Sequence, residues 1–304
     1  MLTYGSLMLA VLIIGAGVWL YVPDKSRAAL EATYATPPSV FVDVDGVRLH
    51  VRDTGPRTAP ALILLHGFGS SLQTWDAWAA DLDRDHRVVR FDLPGFGLTG
   101  ADPSGDYTDT RTVALLAGLM DRLVIAHASI GGNSMGGRFA WYFAALHPDR
   151  VDKLLLISPD GFASPGLAYE RQPSVPLIMR TLPYVLPGGM LRGSLTAAYV
   201  DPARLTDATF DRYRDMMLAP GVRQAIVDRM GQQMLVDPVP LLRSIQAPTL
   251  LLWGERDGMI PFGNSADYLR ALPHATLHAL PNLGHVPQEE APETVAIVRA
   301  FLDG

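Results

Sequence analysis

Four short segments hold residue types that acyl transfer could use. Gly132-Asn133-Ser134-Met135-Gly136, with Gly137 following, is a G-x-S-x-G sequence between an apolar run and the helical pattern Arg138–Leu146. A nucleophile elbow needs this context, because the strand-to-helix turn is too tight for anything but small residues around the serine. The turn lifts Ser134 clear and puts a helix amino terminus behind it. Alone, the five letters also fit a glycine-rich helix cap. His66-Gly67-Phe68-Gly69 follows another apolar run, and an oxyanion developing at Ser134 needs N–H donors aimed at it. The backbone N–H groups of Met135 and Phe68 are the expected pair, with His66 organising the loop rather than moving protons.

Two further groups would complete a proton relay. Leu250–Trp253 runs into Gly254-Glu255-Arg256-Asp257, and Leu280-Pro281-Asn282-Leu283-Gly284-His285 ends in a histidine before the last helical pattern. His285 could take the serine proton and return it to the leaving group. An acid at Asp257 could hold that imidazole in the correct tautomer and stabilise its cation. By sequence alone Glu255 and Asp160 compete with Asp257, since each also follows an apolar run. The other histidines, among them His50 and His86, are read as surface or cap residues.

The elements that must position these groups are legible as short apolar runs alternating with helical patterns. The runs are Ala61–Leu65, Arg87–Leu93, Ala128–Asn133, Leu154–Ser158 and Leu250–Trp253, with a weaker one at Thr276–Leu280. Near-continuous apolar runs of this length suit parallel strands covered on both faces. Helices are expected near 74–84, 109–124, 135–147, 263–272 and 291–302. Ahead of them, Val40–Val44 and Val47–Val51 alternate about Asp45-Gly46 as a β-hairpin. The whole implies an α/β fold with a mostly parallel sheet and helices on both faces. Between about 160 and 244 the alternation lapses into helical, proline-containing sequence with six of the eleven methionines, as expected of a cap (lid) inserted after a strand.

Leu2–Val22 contains no charged residue. At about 1.5 Å per residue it would extend roughly 31 Å, enough to cross a bilayer. It lacks a basic n-region and a closely following small-x-small site, so a retained transmembrane helix over 1–22 is expected rather than a cleaved signal peptide. Lys25 and Arg27 lie just after it, which weakly places the remaining chain in the cytoplasm. Residues 23–38 are expected to be a linker, and 39–304 the catalytic domain with its cap.

Composition removes other classes. The net charge of −6 leaves no basic excess for nucleic acid, and the absence of cysteine removes thiol nucleophiles, disulfides and Cys-ligated metals. Gly95-Phe96-Gly97-Leu98-Thr99-Gly100 matches G-x-G-x-x-G, but Asp102-Pro103-Ser104-Gly105 follows instead of a helix, so dinucleotide binding is not expected. No metal or Walker motif is present, and neither cofactor nor metal is expected.

Together these segments resemble the α/β-hydrolase superfamily over roughly residues 39–304. The likeness rests on His66–Gly69, Phe91-Asp92-Leu93-Pro94-Gly95-Phe96-Gly97, Gly132–Gly137, Trp253–Asp257 and Gly284-His285, and on the chain order Ser134, Asp257, His285. The resemblance implies Ser134 as nucleophile, His285 as base, Asp257 as acid, Phe68 and Met135 as oxyanion donors, and 160–244 as a cap. Anchor, cap and core together look like membrane-anchored monoacylglycerol lipases and related bacterial esterases, implying ester or lipid substrates. Asn133-Ser134-Met135-Gly136-Gly137 also looks like the carbon–carbon hydrolases of ring-fission products, which carry tryptophan after the catalytic histidine where this chain has Val286. A binding protein on an inactive hydrolase fold is a third possibility, disfavoured by the intact order of the triad.

Overall fold

The computed structural model describes residues 20–163, 169–171 and 173–304. The expected membrane span falls on 1–22, so all but its last three residues lie outside the described part. Among the described residues no helix is long and apolar enough to cross a membrane.

Eight strands form one sheet: β1 (Ser39–Val44), β2 (Val47–Thr54), β3 (Ala61–Leu65), β4 (Arg87–Phe91), β5 (Ala128–Asn133), β6 (Val151–Ile157), β7 (Thr249–Gly254) and β8 (Ala275–Leu280). Their spatial order is β1-β2-β4-β3-β5-β6-β7-β8. β1 and β2 are the expected hairpin, turned by Asp45 and Gly46, both at positive φ. β2 pairs antiparallel with β4, and every later pairing is parallel.

The central strands are apolar throughout because both faces are covered. In β3, Ile63 and Leu65 pack into one core cluster while Leu62 and Leu64 pack into another. β7 divides its residues in the same way, Leu251 and Trp253 against Leu250 and Leu252. β8 is the sheet edge, and only every second residue is half-buried until Leu280, which accounts for its weaker sequence signal.

The helices are α1 (Arg27–Tyr34), α2 (Asp76–Leu82), α3 (Asp109–Arg122), α4 (Met135–Leu146), α5 (Gly188–Thr196), α6 (Asp207–Met217), α7 (Val222–Gln232), α8 (Val239–Ser244), α9 (Asn264–Ala271), α10 (Pro287–Glu290) and α11 (Val295–Asp303). The segment joining β6 to β7 carries α5–α8 and, among its described residues, no strand.

Several boundaries differ from expectation. The helix expected at 291–302 is split: Ala291 is not helical (φ −142°, ψ 77°), a single 3₁₀ turn covers Pro292–Thr294, and α11 begins at Val295. Proline at 292 disfavours helical geometry at the residue before it. The run Arg87–Leu93 leaves the sheet after Phe91, and Asp92 turns inward. The stretch read as a linker contains α1, capped by the Ser26 hydroxyl and docked through the buried Leu30. It is tied to the cap by Lys25 and Tyr34, which both reach the Asp215 carboxylate, and by Arg223, which donates to Val22 O and Asp24. His50 and His86 are buried, not superficial. The G-x-G-x-x-G segment is a closed turn, with Gly95 N–H donating to Gly100 O, and opens no helix.

Candidate active site

Ser134 stands between β5 and α4 at φ 56°, ψ −122°. A non-glycine residue held there stores about 1–3 kcal/mol, which the surrounding packing must hold in place. The neighbouring glycines permit it. A Cβ on Gly136 would lie 2.2 Å from Leu65 O, and one on Gly132 would lie 2.2 Å from Gly136 O. The elbow is fastened by Ser134 N–H donating to Ile157 O and by Ser134 O accepting from Arg138 and Asp160.

His285 and Asp257 come from loops after β8 and β7. His285 Nδ1 donates to Asp257 Oδ2 at 2.8 Å, which leaves Nε2 as the basic nitrogen of the neutral ring. The other carboxylate oxygen accepts from Met259 N at 2.8 Å and Ile260 N at 2.9 Å. Burial opposes ionisation of Asp257, but the His285 imidazole and these two amides together hold its carboxyl below the usual range. The competing acids are elsewhere. The Asp160 carboxylate sits 3.7 Å from Arg138, and Glu255 faces solvent.

The His285 loop is held on three sides. His285 N–H donates to Ala198 O in the cap, and the Asn133 amide donates to His285 O at 2.9 Å and to Ile157 O at 3.1 Å. Glu290 takes the N–H groups of Gly284, Val200 and Asp201 on its two oxygens. Neither Asn133 nor Glu290 was singled out from the sequence. Asn133 was visible only as a motif member, and nothing local marked Glu290.

Phe68 and Met135 bracket the serine. Gly67 lies against Asn133 and Ser134, so the loop carrying Phe68 runs alongside the elbow. Met135 is the first residue of α4, where a backbone N–H has no intrahelical acceptor. Among the described residues neither N–H donates to a protein acceptor. His66 is wholly buried; Nε2 accepts from Leu93 N and Nδ1 donates to Gly67 O. Burial lowers its basicity, so it stays neutral and shapes the loop.

Ser134 and His285 line one cavity of about 70 Å³ with Asn133, Ser70, Tyr213 and Ser194. Phe68 and Ser194 also border a second cavity of about 270 Å³ within the segment joining β6 to β7, walled by Leu182, Leu186, Met190 and Met217 among others. No Lys or Arg lines either cavity among the described residues. The Ser134 cavity could not be placed from the sequence, because its walls come from distant segments.

A family model described as alpha/beta hydrolase fold matches residues 60–292. Among solved structures, a membrane phospholipase A described as a bacterial virulence factor is 28% identical, with a TM-score of 0.74 over 98% of this chain and 96% of that one. A thermophilic esterase from Thermogutta terrifontis is 27% identical, with a TM-score of 0.73 over 87% of this chain and 98% of the other. Among curated proteins, a 2-hydroxy-6-oxononadienedioate/2-hydroxy-6-oxononatrienedioate hydrolase of Pseudomonas putida is 29% identical over 81% of this chain and 88% of its own length.

Proposed function

Since the chain belongs to the α/β-hydrolase family, we propose that it is a serine hydrolase of carboxylic esters with hydrophobic acyl groups, including monoacylglycerol-like esters. Ser134 Oγ attacks the ester carbonyl while His285 Nε2 takes its proton. The tetrahedral oxygen accepts from the N–H groups of Phe68 and Met135, a pair of donors for the charge that develops there. Asp257 stabilises the imidazolium. Collapse expels the alcohol, protonated by His285, and leaves an acyl-enzyme that water then hydrolyses.

The observation that carries the acyl preference is the apolar 270 Å³ cavity adjoining the Ser134 cavity at Phe68 and Ser194. Its leucine, methionine and valine walls suit an acyl chain rather than a polar group. The carbon–carbon hydrolase reading shares the triad. A dienedioate, however, brings two carboxylates, and no Lys or Arg lines either cavity to receive them among the described residues.

We also assign residues 1–22 as a membrane anchor, with the domain on the cytoplasmic side where Lys25 and Arg27 follow the span. Two features support placement beside lipid. The chain enters the described fold at the cap, where Val22 N–H donates to Tyr184 O. Near it Leu177, Ile178, Tyr184 and Met190 are all exposed.

p-Nitrophenyl esters of graded chain length test the main reading, with Ser134→Ala as control. Activity should rise from the acetate ester to longer acyl chains and vanish in the variant. Faster turnover of a ring-fission dienoate than of every ester would transfer the protein to the other class. Alkaline carbonate extraction of membranes tests the anchor, which predicts that the full chain is retained and a chain starting at residue 23 is released.

A further inference from the structure

The wall of the Ser134 cavity that carries Ser70 and Tyr213 contains a chain of hydrogen bonds whose direction is dictated. Glu289, on α10 and four residues beyond His285, can only accept when paired with Arg212, whose guanidinium donates to it at 2.7 Å. The Tyr213 hydroxyl donates to the same Glu289 oxygen at 3.1 Å, and Tyr199 donates to the other. A phenol has one proton, and that of Tyr213 is committed to Glu289. Burial and the Glu289 charge push the Tyr213 phenol further above its ordinary value, so it stays protonated. Ser70 Oγ lies 3.3 Å from the Tyr213 oxygen and must therefore be the donor of that bond. Its own proton is spent, and what remains on Ser70 is lone pairs. Ser70 and Tyr213 both line the 70 Å³ cavity with Ser134 and His285.

Resting on the ester-hydrolase reading above, we infer that Ser70 is a specificity-determining acceptor for a free hydroxyl on the leaving alcohol. Its polarity is set by the Tyr213–Glu289–Arg212 relay. The favoured substrates are then acyl esters of small polyols rather than of simple alkanols. The same polarity excludes Ser70 as a third oxyanion donor, because its proton points away from the reacting centre.

The test uses two substrates of one shape, 2-hydroxyethyl decanoate and n-propyl decanoate, which differ by a terminal hydroxyl against a methyl. The readout is the ratio of their kcat/KM values, in which any general loss of folded enzyme cancels. The full-length protein should favour the hydroxy ester by roughly 2- to 12-fold, the range of one net hydrogen bond. Ser70→Ala should bring the ratio to about one, and Tyr213→Phe should lower it by releasing the Ser70 proton. A ratio near one in the unaltered protein overturns the inference while leaving the ester reading intact. So does a ratio that survives Ser70→Ala, and so does an equal loss on both esters, which is the signature of an oxyanion donor. Failure to cleave either ester, with Ser134 still labelled by a fluorophosphonate, overturns the ester reading and this inference together.

Discussion

The molecule contains two Ser–His–Asp arrays that are nearly alike in local geometry. In the sheet, His50 Nδ1 meets Asp92 Oδ2 at 2.7 Å and its Nε2 lies 3.0 Å from Ser39 Oγ. In the site, His285 Nδ1 meets Asp257 Oδ2 at 2.8 Å, and Nε2 is left for Ser134. Even the carboxylates are supported alike. Each takes two backbone amides, Asp92 those of Leu72 and Leu98 on separate oxygens, Asp257 those of Met259 and Ile260 on the one oxygen turned away from its histidine. The serines separate the two arrays. Ser39 sits in a regular strand opposite Arg52, whose Nε donates to its oxygen. Ser134 sits in a left-handed turn at a helix amino terminus and faces a cavity. A triad of residue types therefore says little by itself. What separates the arrays is that Ser39 Oγ is already engaged by His50 and Arg52, whereas Ser134 faces a cavity shared with His285.

Paired substitutions can break this contrast. Ser134→Ala should lower kcat for a p-nitrophenyl ester by roughly 10⁴- to 10⁶-fold. Ser39→Ala should leave kcat within about twofold. Equal losses from the two, or fluorophosphonate labelling of Ser39, would erase the distinction.

The acids come next. Asp257→Asn should cost about 10⁴-fold in kcat by favouring the wrong imidazole tautomer. Asp92→Asn should instead leave kcat of the folded protein close to normal and remove about 3 kcal/mol of stability, because it breaks a fully buried pair. Kinetics and denaturant unfolding on both variants separate the two outcomes, and a kinetic defect of similar size in Asp92→Asn would count against a purely structural array.

The smallest effect is in acid. Burial opposes ionisation of Asp92, but His50 beside it and the Leu72 amide carry its carboxyl below the usual range, the same direction as Asp257. A depressed folded-state value means the stabilisation is complete above the unfolded value of about 3.9 and is lost as pH falls through the folded one. Melting temperature should therefore drop more steeply below about pH 4 in the unaltered protein than in Asp92→Asn. Parallel curves between pH 3 and 6 would show that Asp92 carries no such linkage.

Most of the framework was legible because its signals are local. β3, β5 and β7 read as apolar runs since both faces of each are buried, and Ser134 was marked by glycines that the elbow's close approaches demand. Where the signal was not local, the reading failed or stayed open. α1 has the polar composition of a linker, and only its docking through Leu30 and Asp215 makes it part of the fold. His50 looked superficial because the residues that bury and satisfy it lie 11 and 42 positions away. Asp160, Glu255 and Asp257 were equivalent as loop acids until the β7 loop turned one of them onto His285.

By itself, then, the sequence determined the strand and helix alternation, the elbow at Ser134 and the histidine at 285, because each depends on spacing within a few residues. Tertiary structure decided which acid pairs with that histidine, that His50 and Asp92 are buried together in the sheet, and that two cavities meet at Phe68 and Ser194. Those outcomes depend on where loops from separate strands converge and on what they exclude from water, and no short stretch of chain encodes either.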